Sequence, residues 1–179
     1  LGLMIYKEPG ENYLRLETGN CDVHDHRAKR DVFGIPRLLT GHFALQPKGE
    51  IISGKMRLDL WNAEASTDII TTKGVIHLQT FVHADDMVIV VKATTEGEEH
   101  DFKWEWIAAE ANSPRYLLFK RRGQTNKIPK DYTLNPTPVI NRKGDINLSI
   151  QKLSAGGETT VGWKETQSAK KERTLWINL

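Results

Sequence analysis

The sequence predicts an all-β fold, a sandwich of large antiparallel sheets, and three observations point to it. Short runs that alternate apolar and polar residues recur along the 179 residues, the period of two that a half-buried strand requires. Turn-forming Gly, Pro and Asp separate those runs at hairpin spacing, giving about eleven strand candidates. No segment sustains an apolar stripe of helical period, so evidence for helices is thin.

The elements follow in order. Leu1 to Tyr6 opens in a strand-like pattern, and Tyr13 to Glu17 alternates after a Pro9-Gly10 turn. Leu38 to Gln46 and Ile51 to Leu60 flank Pro47-Lys48-Gly49, which reads as a hairpin. In the second of these runs Met56, Leu58 and Leu60 fall on one face, and Lys55, Arg57 and Asp59 on the other. That pattern predicts one buried face and one wet face. Asp68 to Thr72 and Val75 to Val82 meet at Lys73-Gly74, and Met87 to Val91 is apolar enough for a central strand. Phe102, Trp104, Trp106 and Ala108 share a face, which places both tryptophans in the core. Ile146 to Ile150 and Thr160 to Trp163 flank a turn at Ala155-Gly156-Gly157-Glu158. Trp61 to Ala65 has residues for one helical turn, and Trp104 to Glu110 has good helix formers. Cys21 to Arg37 and Arg121 to Asp145 resist assignment, and long loops of this kind are usually functional or mobile.

Composition narrows the function classes. With 39% hydrophobic and 27% charged residues the chain can bury a core, unlike a disordered tail. No run approaches the roughly 18 apolar residues of a membrane helix, so no membrane partner is expected. Lys and Arg number 25 against 23 Asp and Glu, a balance that argues against a dedicated nucleic-acid binder. The single Cys21 excludes an intrachain disulfide and a multi-cysteine zinc site. Residues 1–179 read as one domain without a fixed-period repeat. Both ends fall inside strand-like runs, as in a piece of a longer protein.

Chemistry-bearing residues concentrate in Cys21-Asp22-Val23-His24-Asp25-His26. If this segment is extended, Asp22, His24 and His26 project to one face and Cys21, Val23 and Asp25 to the other. Two imidazoles and a carboxylate on one face have the donor types of a metal site. A polar or sugar-contacting loop fits the same string, and no third His stands at ligand spacing. Neither a metal nor an organic cofactor is therefore expected. Asp85-Asp86 and Glu96, Glu98 and Glu99 read as solvated turns, not as a catalytic pair. No Gly-x-Ser-x-Gly elbow or Gly-rich phosphate loop occurs, so no catalytic residue is assigned. Lys120-Arg121-Arg122, beside Tyr116 and Phe119, reads as a solvated basic run more readily than as an anion site. Trp61 and Trp163 stand at or near strand ends, where flat aromatic faces can stack on sugar rings.

A block of the chain resembles a known family. It comprises Leu58-Asp59-Leu60-Trp61-Asn62-Ala63-Glu64-Ala65, Thr72-Lys73-Gly74, and Phe81 to Val90 with its Val88-Ile89-Val90 run. The block is similar to the N-terminal β-sandwich domain of family 95 glycoside hydrolases, which include α-L-fucosidases, and of related Bacteroidetes proteins. The resemblance spans most of Leu1 to about Trp163. It implies a supersandwich that precedes an (α/α) barrel, with the catalytic carboxylates on that barrel and none carried over here. It implies carbohydrate and the C-terminal catalytic domain of the parent chain as partners, and a periplasmic or extracellular location. Within it Asp22, His24, Asp25, His26 and Trp61 are the expected sugar-facing residues. A stand-alone carbohydrate-binding module, or a metal-binding protein using Asp22, His24 and His26, are the alternatives.

Overall fold

The computed structural model describes residues 2–25, 27, 33 and 36–179. The first four strands are β1 (Gly2–Lys7), β2 (Leu14–Gly19), β3 (Gly41–Gln46) and β4 (Ile51–Asp59). Next come β5 (Glu64–Thr71), β6 (Gly74–Val82), β7 (Val88–Gly97) and β8 (Lys103–Ala108). A single α-helix among the described residues, α1 (Pro114–Arg121), separates these from β9 (Val139–Lys143) and β10 (Ile146–Lys152). The chain closes with β11 (Glu158–Ala169) and β12 (Glu172–Asn178).

The strands form two antiparallel sheets, as the alternating pattern predicts. One has four strands in the order β1-β2-β3-β8, the other eight in the order β4-β5-β6-β7-β12-β11-β10-β9. Leu14, Leu16, Phe43 and Leu45 of the small sheet meet Ile69, Ile76, Leu78, Val91, Leu175 and Ile177 of the large one. Each such side chain contributes about 1.5–3 kcal/mol by leaving water. Trp104 and Trp106 pack against this core as expected. Trp163 joins them: it lies in the middle of β11 and not, as expected, near a strand end. Its ring is 5.5 Å from Trp106 and 5.6 Å from Phe43, which makes it a packing group. Close packing also explains Gly41, at φ 142°, where a Cβ would stand 2.5 Å from the Trp106 ring.

Several local expectations are corrected. Pro47-Lys48-Gly49 is not a hairpin, because β3 and β4 belong to different sheets. It is a corner, and Glu99 builds it. The Glu99 carboxylate accepts from the Lys48 and Gly49 amides at 2.8 Å each and from the Thr71 hydroxyl. Glu99 is fully buried, not part of a solvated turn. Three donors replace the water that its carboxyl oxygens lose on burial.

The run in β4 also departs from its pattern. Met56 and Leu58 pair with Thr67 and Ala65 on the sheet's inner face, yet remain 47% and 62% exposed. β4 is an edge strand of the wide sheet, and the four-stranded sheet is too narrow to cover it. Trp61 to Ala65 forms no helical turn. It is the β4–β5 hairpin tip leading into β5. Trp104 to Glu110 is mostly strand, because alternation in burial overrides helix propensity there.

The helix arises where no periodic signal stands, inside and just before a stretch that resists assignment. Pro114 occupies its first turn, the Ser113 hydroxyl accepts from the Arg115 amide at 3.3 Å, and Lys120 and Arg121 close its last turn. Those end signals, not an apolar stripe, define it.

Candidate functional site

The segment after β2 folds as a sequence of small turns. The Asp22 amide donates to the Asn20 side chain at 3.1 Å, and the Val23 amide to the Asn20 carbonyl at 3.3 Å. His24 then bridges to Arg37, and the Leu38 amide donates to the Val23 carbonyl at 3.0 Å. Val23 and Asp25 point inward, while Asp22 is exposed and His24 half-buried. Cys21 is exposed as well, because the turns at Cys21 and Asp22 break the extended alternation. Asp25, expected to face a sugar, faces the interior. Val23 packs with Leu38, Ala111 and Leu153 in a second, smaller apolar cluster.

Asp25 is a latch beneath this turn. It is fully buried, and its carboxylate receives the Arg27 guanidinium at 2.6 Å. Arg27 also donates to the Thr133 carbonyl at 2.5 Å and lies 4.4 Å over the Tyr132 ring. Tyr132 accepts in turn from the Ser113 amide at 2.8 Å, and burial holds its phenol above the usual range. Asn135 ties the same region to the β10–β11 tip: it donates to the Ala111 carbonyl at 2.6 Å and accepts from the Ser154 amide at 2.7 Å. Three chain segments are thereby fixed to one another at one end of the large sheet.

A groove of about 450 Å³ opens between that turn and the β10–β11 tip. Asn20, Asp22 and His24 line one side, and Glu158, Thr159 and Thr160 the other. A second groove, of about 490 Å³, lies on the far side of Asn20 between β1, Cys21 and Arg37. Carboxylate, imidazole, amide and hydroxyl groups can together donate to and accept from a polyhydroxylated ligand. Glu158, Thr159 and Thr160 are the groove residues that sequence reasoning passes over. The Ala155-Gly156-Gly157-Glu158 turn is the signal for them, because it brings that tip to the sheet end that carries Asp22.

Trp61 stands elsewhere. It sits at the β4–β5 tip, 95% exposed. Asp59 shapes the tip by accepting from the Trp61 amide at 3.0 Å and from the backbone and side chain of Asn62 at 3.1 Å each. Those bonds, the Asn62 ones foremost, hold the Asp59 carboxyl below its usual range. In the large sheet β5 and β11 are four strand spacings apart, about 20 Å. The structure therefore brings Asp22 and His24 together and leaves Trp61 at a separate place on the same sheet end. His26 lies outside the described residues. Among the described residues no group of three His, Cys, Asp or Glu is arranged to hold a metal, and no helix is long and apolar enough to cross a membrane.

Comparison with models of known families and with curated proteins returned no match. The two-sheet antiparallel sandwich therefore stands as the class of this chain on its own geometry.

Proposed function

We propose that this chain is a non-catalytic β-domain of a carbohydrate-active enzyme, the N-terminal part of a glycoside hydrolase exported to the periplasm or beyond. The groove between Asp22 and His24 and the β10–β11 tip carries this reading, being polar on both sides and rigidly backed. In it Asp22 and His24 meet sugar hydroxyls from the rim, Asp25 keeps the turn in place from below, and His26 is proposed from the sequence alone as a further sugar contact. The catalytic carboxylates belong to a barrel domain of the parent protein, on which this domain packs. The almost fully exposed ring of Trp61 favours a second reading, a carbohydrate-binding module that stacks a sugar on that face.

A neutral-glycan array probed with this chain, with Asp22→Asn and with Trp61→Ala tests both. Loss of signal in Asp22→Asn alone supports the groove, and loss in Trp61→Ala alone supports the stacking face. Absence of binding by the parent chain overturns both. The chain is expected to hydrolyse no aryl glycoside by itself, and measurable turnover overturns the non-catalytic assignment.

A further inference from the structure

Positive charge is unevenly placed in this molecule. Between Ala111 and Asn135 stand six cations, Arg115, Lys120, Arg121, Arg122, Lys127 and Lys130, against the single carboxylate of Asp131. That segment carries net +5, while the remaining 154 residues hold 19 Lys and Arg against 22 Asp and Glu, net −3. All six cations are exposed, and among the described residues none of them is in an ion pair. Elsewhere Arg15, Lys48, Lys73, Lys92, Lys164 and Arg173 each meet a carboxylate.

Helix stability does not account for this cluster. Cations in the last turn of α1 are favoured by the helix dipole. Arg115, however, stands in the first turn, which has no acidic residue and where that dipole opposes a cation. Lys127 and Lys130 lie beyond the helix altogether. The fold gathers three of the six: Arg115 and Lys127 lie 5.8 and 5.7 Å from the Phe119 ring, and Lys120 lies 5.8 Å from that of Tyr116.

The same rings indicate the kind of polyanion. Tyr116 is stacked on Tyr132 at 5.1 Å, Arg27 covers Tyr132 at 4.4 Å, and Phe33 packs against both Phe119 and Tyr132. Unpaired bases need free aromatic faces, and these are engaged within the protein. A flexible chain with regularly spaced carboxylates needs only the exposed cationic heads, with the Arg forks suited to bidentate pairing.

We propose that the surface around Arg115, Lys120 and Lys127, with the exposed Arg121, Arg122 and Lys130 of the same segment, binds an acidic polysaccharide of the polyuronate class. The choice of polymer rests on the carbohydrate reading above, whereas the anionic character rests on the charge placement alone. The test titrates the whole chain with de-esterified polygalacturonate, with neutral dextran and with duplex DNA. Three variants accompany it: Lys120→Gln/Arg121→Gln/Arg122→Gln on the helix end, Lys127→Gln/Lys130→Gln outside the helix, and Lys55→Gln/Arg57→Gln/Lys103→Gln on distant strands. Circular dichroism checks that each variant folds, and the loop variant keeps the test decisive if the helix variant does not.

Polygalacturonate is expected to bind at about 50 mM salt and to weaken about tenfold by about 200 mM, as counterion release dictates. The helix-end variant is expected to lose at least about tenfold in affinity, the loop variant several-fold and the distant variant less than about twofold. Absence of polygalacturonate binding overturns the proposal, as do equal losses in patch and distant variants or duplex DNA bound as tightly at equal salt. Neutral glycans are read separately through Asp22→Asn and Trp61→Ala, so the failure of one reading is told apart from that of the other.

Discussion

Glu99 carries more of this structure than its place among three glutamates implies. Two backbone amides and a hydroxyl depend on its carboxylate at the corner between the sheets. Glu99→Ala leaves those donors buried and unsatisfied, and is expected to lower unfolding free energy by about 3 kcal/mol in urea titration. Two histidines set opposing pH dependences. His77 on β6 faces Asp68 at 2.7 Å and Glu96 at 3.4 Å, and its pKa is raised, chiefly by the Asp68 hydrogen bond. It therefore adds stability that is full below about pH 6.5, its ordinary value, and is lost as pH rises through the raised value. His42 on β3 is buried, stacked on Tyr13 at 6.3 Å, and its pKa is lowered, first by burial. Its folded form resists protonation, so stability falls as pH drops below about 6.5 toward the lowered value. Melting His77→Gln and His42→Gln across pH 5 to 8 separates the two. The first should lose stability relative to the parent mainly at acid pH, and the second should flatten the parent's loss on acidification.

At the scale of elements, α1 and β4 behave oppositely to their sequence signals. α1 lacks an apolar stripe and exists through its ends and through the Tyr116, Phe119 and Tyr132 contacts. Ser113→Ala removes its cap and is expected to cost about 1 kcal/mol, read as a drop in melting temperature. β4 has a strand pattern but no cover. Lys55 and Arg57 lie along this sheet edge, where charged side chains discourage pairing with another chain. Trp61→Ala at its tip should leave stability within about 0.5 kcal/mol of the parent, since the ring is almost wholly in water. By contrast Phe43→Ala, between Trp106 and Trp163, is expected to cost about 3–5 kcal/mol.

For the molecule as a whole, eight of the ten strand pairings among the described residues join neighbours in the chain and two are remote. β3 pairs with β8 and β7 with β12, so each sheet closes across long intervening segments. Such topology is expected to fold in milliseconds to seconds, measurable by stopped-flow refolding monitored by tryptophan fluorescence. Period-two alternation and Gly-Pro punctuation are local properties, and they alone determine that this chain is all-β and two-faced, with Trp104 and Trp106 inside. They also put Asp22 and His24 on one face and Val23 and Asp25 on the other, but not which of the two is buried. Only the tertiary structure decides which sheet each strand joins. That assignment turns Pro47-Lys48-Gly49 into a corner, buries Glu99, packs Trp163 against the core, and leaves Met56 and Leu58 in water. It also sets Trp61 apart from the Asp22 groove and brings Lys127 to the Phe119 ring of α1. The reason is physical: alternation records that a strand has two faces, whereas burial depends on which remote segment covers each face, and no local pattern encodes that.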